Sequence, residues 1–151
     1  MFIYSRKPRN STLVQNKLKT LYNTVKDYVD AKGRQLSTIF LKLPSKTELP
    51  NYYEVIKKPL DLEKIGVRLK NGVYDSLEDL LADVILMLDN ACKYNEPDSQ
   101  IYKDALTLQQ IALQTKLELA DDNENGVPDV KALIQELLTS LFITVYNHQV
   151  I

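Results

Sequence analysis

A chain of 151 residues with 44% apolar residues can bury one core of its own, and a formal net charge of −1 supplies no field that would draw it to nucleic acid or to a membrane surface. Its single cysteine, Cys92, excludes an internal disulfide framework and a cysteine-based zinc cluster. Its single histidine, His148, excludes a histidine-based triad or a multi-histidine metal site within one chain. The four glycines form no GxGxxG or GxxxxGK phosphate cradle, no apolar run is long enough to span a bilayer, and the first residues carry no signal-like apolar core.

Residues 1–11 read as a flexible basic arm carrying Arg6, Lys7 and Arg9. So small a cluster supports at most non-specific contact with phosphates. Val14, Leu18, Leu21, Val25 and Tyr28 then recur at spacings of four and three, which predicts a helix from Thr12 to Ala31 with Gly33 as a stop. Residues 32–60 have no helical period, and Pro44, Pro50 and Pro59 each remove a backbone donor. This stretch is nevertheless rich in Ile39, Phe40, Leu41, Leu43, Leu49, Tyr52, Tyr53 and Ile56, and a long apolar connection of this kind is usually functional.

Asp61 caps a short helix to about Lys70, which Asn71-Gly72 ends. Ser76 and Asp79 open the next helix in the manner of a capping box; its stripe runs through Leu77, Leu80, Leu81, Val84, Leu88, Ala91 and Cys92, and it ends at Asn95, two residues before Pro97. Ser99 opens a further helix with Ala105, Leu108, Ala112, Thr115 and Leu119 on one face. The sum is an all-α bundle of four helices with one long connection after the first. Residues 121–127 read as a polar linker, and residues 128–147 as an additional C-terminal helix with Leu133, Ile134, Leu137, Leu138, Leu141 and Val145 as its stripe. In that segment Ile134, Leu137, Leu141 and Val145 align with Leu18, Leu21, Val25 and Val29 of the first helix. Shared periodicity alone explains such a match as readily as an internal repeat does.

The motifs with chemical content divide in two. Asp121 to Gly126 imitates the start of a calcium loop, but Ala132 stands where a bidentate Glu belongs, so it reads as a solvated linker. Glu78/Asp79 and Asp121/Asp122 read as caps or solvated faces, and Cys92, on an apolar face, as a small core hydrophobe. Asn95 before Glu96-Pro97 has a plain reading as a left-handed helix cap and a second reading as a ligand contact. With Tyr52 and Tyr53 it suggests a pocket with apolar walls and one amide donor, suited to a neutral amide-containing ligand and to a reader rather than a catalyst. No nucleophile–base pair or metal constellation argues for an enzyme.

Pro50-Asn51-Tyr52-Tyr53, Ile56-Lys57-Lys58-Pro59-Leu60-Asp61 and Tyr94-Asn95-Glu96-Pro97, in this order and at domain-scale spacing, resemble the bromodomain family over about Thr12–Ala120. The stretch from Leu43 to Pro50 is similar to the subgroup found in polybromo and in the ATPase subunits of SWI/SNF-type remodellers. The resemblance implies a left-handed four-helix bundle that reads acetyl-lysine without a cofactor or a metal. It implies Asn95 as the donor to the acetyl carbonyl and Tyr52 as the residue reaching that carbonyl through a water. Leu43 and Leu49 would form the loop wall, Ile101 the gatekeeper and Tyr94 the aromatic before the asparagine, with Leu41 also among the ligand-binding residues. Ile39-Phe40-Leu41 departs from the Trp-Pro-Phe shelf of many relatives, and the loop is shorter. The resemblance further implies acetylated histone tails and remodelling-complex subunits as partners, no membrane, a nuclear location, and an added helix similar to the first helix of a following bromodomain. A bundle serving only as a protein–protein scaffold, its pocket degenerate, is the alternative.

Such chemistry follows from the ligand. Acetylation removes the lysine charge and leaves an amide on an aliphatic stem. The stem and methyl suit apolar walls, and the carbonyl needs a donor once it leaves water. An unmodified ammonium would lose its hydration with no carboxylate to replace it.

Overall fold

The computed structural model describes residues 10–120 together with 134, 135, 137–139 and 141. The arm up to residue 9, the linker with its calcium-loop-like residues, most of the C-terminal segment and His148 lie outside the described residues.

Helix α1 runs over Thr12–Asp27, capped by the Ser11 hydroxyl, which accepts from the Val14 N–H at 3.2 Å. Its buried face is Leu18, Leu21 and Val25, joined by the stem of Lys17. It ends at Asp27 instead of Ala31, because a local network captures the chain. Tyr28 turns extended, Val29 forms an antiparallel bridge with Gln35, and the Asp30 carboxylate accepts from the N–H groups of Lys32 and Arg34 at 2.9 Å each. Gly33, at φ +79°, closes that turn in a region that an L side chain rarely adopts.

The connection from residue 32 to 60 is more ordered than its missing period suggests. It contains a 3₁₀ turn over Leu36–Phe40 and a short helix α2 over Pro50–Val55, with proline at its start where no intrahelical N–H bond is lost. Residues 10–120 thus hold five α-helices where the apolar spacing of the same stretch predicts four. Short helices of about one turn carry no repeat for periodicity to detect.

Helix α3 spans Leu62–Lys70 under an Asp61 cap, α4 spans Leu77–Tyr94 under a Ser76 cap, and α5 spans Gln100–Ala120. The Asp79 carboxylate reaches back to the N–H of Asp75 rather than that of Ser76. The most extensive packing is between α4 and α5; α1 lies on both, and α3 lies on α1 and α4. One cluster joins Leu18, Leu21 and Val25 to Leu62, Ile65, Leu80, Val84, Leu88, Ala105, Leu108 and Ala112. Leu36, Phe40 and Leu60 of the long connection are buried in the same cluster, so this segment is anchored by its own side chains. The all-α bundle of the sequence reading is the observed architecture.

Candidate ligand site

The connection between α1 and α3 is tied down by polar bonds at both ends. Asp61 caps α3 through one carboxylate oxygen, accepting from the Lys64 N–H at 2.8 Å, and accepts the Leu43 N–H at 2.9 Å through the other. The Leu41 carbonyl accepts from the Glu63 N–H at 3.1 Å. Ser45 and Glu48 exchange reciprocal side-chain-to-backbone bonds at 3.1 Å, which folds Pro44–Leu49 into a closed turn before α2. The Tyr53 hydroxyl donates to the Pro44 carbonyl across that turn. Leu41, Leu43 and Leu49 are all half-buried.

At the far side of the connection, Asn90 of α4 is 7% exposed and donates its side-chain amide to the Lys58 carbonyl at 2.8 Å. Pro59 cannot donate, and the loop carbonyl before it finds its partner in the helix. Sequence reasoning passed over Asn90. Its only signal was a polar residue two positions after Leu88, inside an otherwise apolar stripe.

Tyr52 is 7% exposed, and its ring meets Tyr94 edge-on with centroids 4.9 Å apart and Tyr53 at 5.4 Å. Its hydroxyl makes no hydrogen bond to the described residues. Burial first, then the proximity of Tyr53, Tyr94 and Asp61, push the phenol pKa above its ordinary value, so it stays a neutral donor. The start of α2 and the end of α4 therefore meet through an aromatic pair, with Asn95 the next residue after Tyr94.

Asn95 is the C-cap of α4, half-buried, with an extended backbone at φ −101° and ψ 154°. The left-handed cap expected on the plain reading is not what forms. Both its backbone N–H and its side-chain amide donate to the Ala91 carbonyl, at 3.0 and 2.9 Å. Those two bonds satisfy the helix end without a positive φ and fix the orientation of the side chain. Among the described residues one amide hydrogen and the Oδ1 acceptor have no partner.

Ile101, in the first turn of α5, packs against the core and lines a groove with the 3₁₀ turn. Beside it, Arg34 pairs with Asp104 in a two-pronged contact of 2.7 and 2.9 Å, and Gln100 donates to the same carboxylate at 2.9 Å. The hydrogen bonds to Asp104 raise the Arg34 pKa further. Neither Arg34 nor Asp104 was singled out by sequence reasoning; a pair seventy residues apart leaves no local pattern. Cys92 is half-buried, and desolvation followed by the nearby Asp89 pushes its thiol up to about 11. A thiol so protonated is a poor nucleophile.

A tight aromatic and amide-bearing junction thus lies between the long first connection and the end of α4, set in an all-helical bundle. Residues 18–107 match the bromodomain family, and the chain belongs to that family. Its relatives include the chromatin structure-remodeling complex subunit snf21 of Schizosaccharomyces pombe, 38% identical over 103 residues, which are 68% of this chain and 8% of that protein. The transcription regulatory protein SNF2 of Saccharomyces cerevisiae is 37% identical over 103 residues, 68% of this chain and 6% of that protein. The ATP-dependent helicase brm of Drosophila melanogaster is 46% identical over 79 residues, 52% of this chain and 5% of that protein. The chain thus spans less than a tenth of the length of each of these relatives. Its likeness is to the bromodomain of the SWI/SNF-type remodelling subgroup.

Proposed function

We propose that this bromodomain binds acetylated lysine side chains, with histone tails as the peptide source, as the reader module of a nuclear chromatin-remodelling subunit. The observation that carries the reading is Asn95. Its side chain is oriented by the Ala91 carbonyl, keeps one amide hydrogen uncommitted, and follows the Tyr94 ring that packs on Tyr52. In this reading the spare Asn95 N–H donates to the acetyl carbonyl. The Tyr52 hydroxyl, neutral and without a partner among the described residues, reaches the same carbonyl through a bridging water. Leu41, Leu43 and Leu49 supply the apolar wall, and Ile101 borders the opening opposite it.

Few direct hydrogen bonds and a small apolar contact give an affinity of about −4 to −7 kcal/mol, roughly millimolar to ten micromolar. Linking such modules in tandem would raise avidity through effective concentration. The test is titration of the labelled protein with matched acetylated and unmodified histone-tail peptides, followed by NMR of backbone and side-chain amides. Shifts at Asn95, Tyr52 and Ile101 with the acetylated peptides only are expected. Silence across a broad acetylated set would overturn the reading and leave a scaffold bundle in its place.

A further inference from the structure

We propose that Ser45 is a phosphorylation site for an acid-directed protein kinase, and that its phosphate opens the Pro44–Leu49 turn and weakens acetyl-lysine binding. This rests on the acetyl-lysine reading of Asn95 and adds a regulatory input to it. Among the described residues, Thr24, Ser45, Ser76 and Thr115 each carry a carboxylate three positions on, a pattern that suits a basic substrate groove. Thr24 lies in the last turn of α1, and Thr115 lies inside α5, where its hydroxyl donates to the Ile111 carbonyl. Ser76 caps α4 and is followed by Leu77, which is buried in the core. A kinase holds its substrate extended, so these three sites would each require a core helix to unwind. Ser45 instead stands in a connection, and Ser45, Lys46, Thr47 and Glu48 are all exposed. Opening this turn breaks exposed bonds that water can replace.

In the modification the Ser45 Oγ attacks the γ-phosphorus of a nucleoside triphosphate held by the kinase. The bond from that phosphorus to the departing diphosphate breaks, and the hydroxyl proton passes to a base of the kinase. In the unmodified turn the Ser45 Oγ accepts the Glu48 N–H and the Glu48 carboxylate accepts the Ser45 N–H, both at 3.1 Å. The Ser45 carbonyl accepts the Leu49 N–H at 3.0 Å, so the turn tethers a residue of the proposed apolar wall. Through the Pro44 carbonyl it also holds the Tyr53 hydroxyl, whose ring lies against Tyr52. Bonds from Ser45 keep the Glu48 carboxyl below its ordinary range, and it is ionised at neutral pH. A phosphate of about −1.5 to −2 charge would stand beside that carboxylate. Lys42 and Lys46 flank the turn, but their two positive charges do not balance a phosphate and a carboxylate together. Repulsion then separates the reciprocal pair, and Leu49 loses its tether.

The experiment has two arms, both on the whole chain. In the first, the protein is incubated with ATP and an acid-directed serine/threonine kinase, and the modified residue is located by mass spectrometry. One phosphoryl group on Ser45 is expected, and none at that place in Ser45→Ala. Labelling confined to other residues, or no labelling, would overturn the site. In the second arm, phosphoserine is installed at position 45 during synthesis, and the product is titrated with an acetyl-lysine peptide beside the unmodified chain. Binding about fivefold weaker is expected, with the loss shrinking as salt is raised. Glu48→Gln keeps an oxygen to accept the Ser45 N–H but removes the charge, so in that background the phosphate should cost much less. Equal affinities with and without the phosphate, or a loss undiminished in Glu48→Gln, would overturn the proposed control while leaving the acetyl-lysine reading intact. Absence of binding by the unmodified chain would overturn the acetyl-lysine reading and the control built on it, whatever the kinase does at Ser45.

Discussion

Individual side chains carry separable tasks in this bundle. Asn95 orients itself on α4 and is otherwise free, so Asn95→Ala should remove most acetyl-peptide binding, more than about tenfold, with little change in melting temperature, because its position is half-buried and its backbone bond to Ala91 persists. A variant that binds as well as the parent would rule out the proposed pocket. Asn90 has the opposite profile. Asn90→Ala strands the Lys58 carbonyl beneath the loop and should cost about 1–3 kcal/mol in chemical denaturation, with any loss of binding secondary to the loosened connection. Both residues are asparagines on one helix, and the sequence distinguishes them only through the Tyr-Asn-x-Pro motif around the first.

At the scale of elements, the contact between α1 and α3 is unusually close at Gly66. A Cβ there would lie 2.7 Å from the Tyr22 hydroxyl oxygen and 3.2 Å from the ring carbon that bears it. That hydroxyl donates to the Leu62 carbonyl at 3.0 Å and is fixed in place. Gly66→Ala should therefore lower stability by about 1 kcal/mol or more in denaturant titrations, although alanine is the better helix former. The C-terminal segment poses a different question. Gln135, Leu138 and Thr139 face Leu106, Leu113 and Leu117 of α5 across a cavity of about 410 Å³, while Ile134 and Leu137 stay exposed. We propose that this segment docks on α5. Slowed amide exchange at Leu138 and Thr139, abolished by Leu138→Asp, is the expected outcome; fast exchange in the parent chain would refute the docking. The apolar stripe signalled a face in need of cover, and nothing local in it could say which surface supplies that cover.

For the molecule as a whole, acid stability follows from its bonded carboxylates. The carboxyls of Asp30, Glu48 and Glu78 are held below the usual range, chiefly by the Arg34 N–H, the Ser45 N–H and the Lys116 ammonium respectively. The unfolded chain takes up protons on these groups first, so it binds more protons than the folded state in that window, and stability falls as pH drops through the folded values. The melting temperature should be flat from neutral pH to about pH 5 and decline below about pH 4. All three groups are solvent-accessible, so the decline should be shallow and weaker in salt. Glu48→Gln should flatten part of it; an unchanged profile would show that the Ser45–Glu48 turn carries no such linkage.

What the amino-acid sequence determined by itself was everything set by short range. The buried stripes of α1, α4 and α5, the Asp61 and Ser76 caps, and the all-α class follow from period and capping chemistry within a few residues. So does the motif order that marks a bromodomain, since it is written in contiguous residues. Two local outcomes left no periodic signal: α1 ends at Asp27 because the Asp30 turn and the Val29–Gln35 bridge capture the backbone, and Asn95 is extended because two bonds to the Ala91 carbonyl already close the helix. Tertiary structure alone brought Asn90 to Lys58 and Arg34 to Asp104, pairings whose partners are far apart in the chain and whose energies exist only once the bundle has closed and excluded water around them.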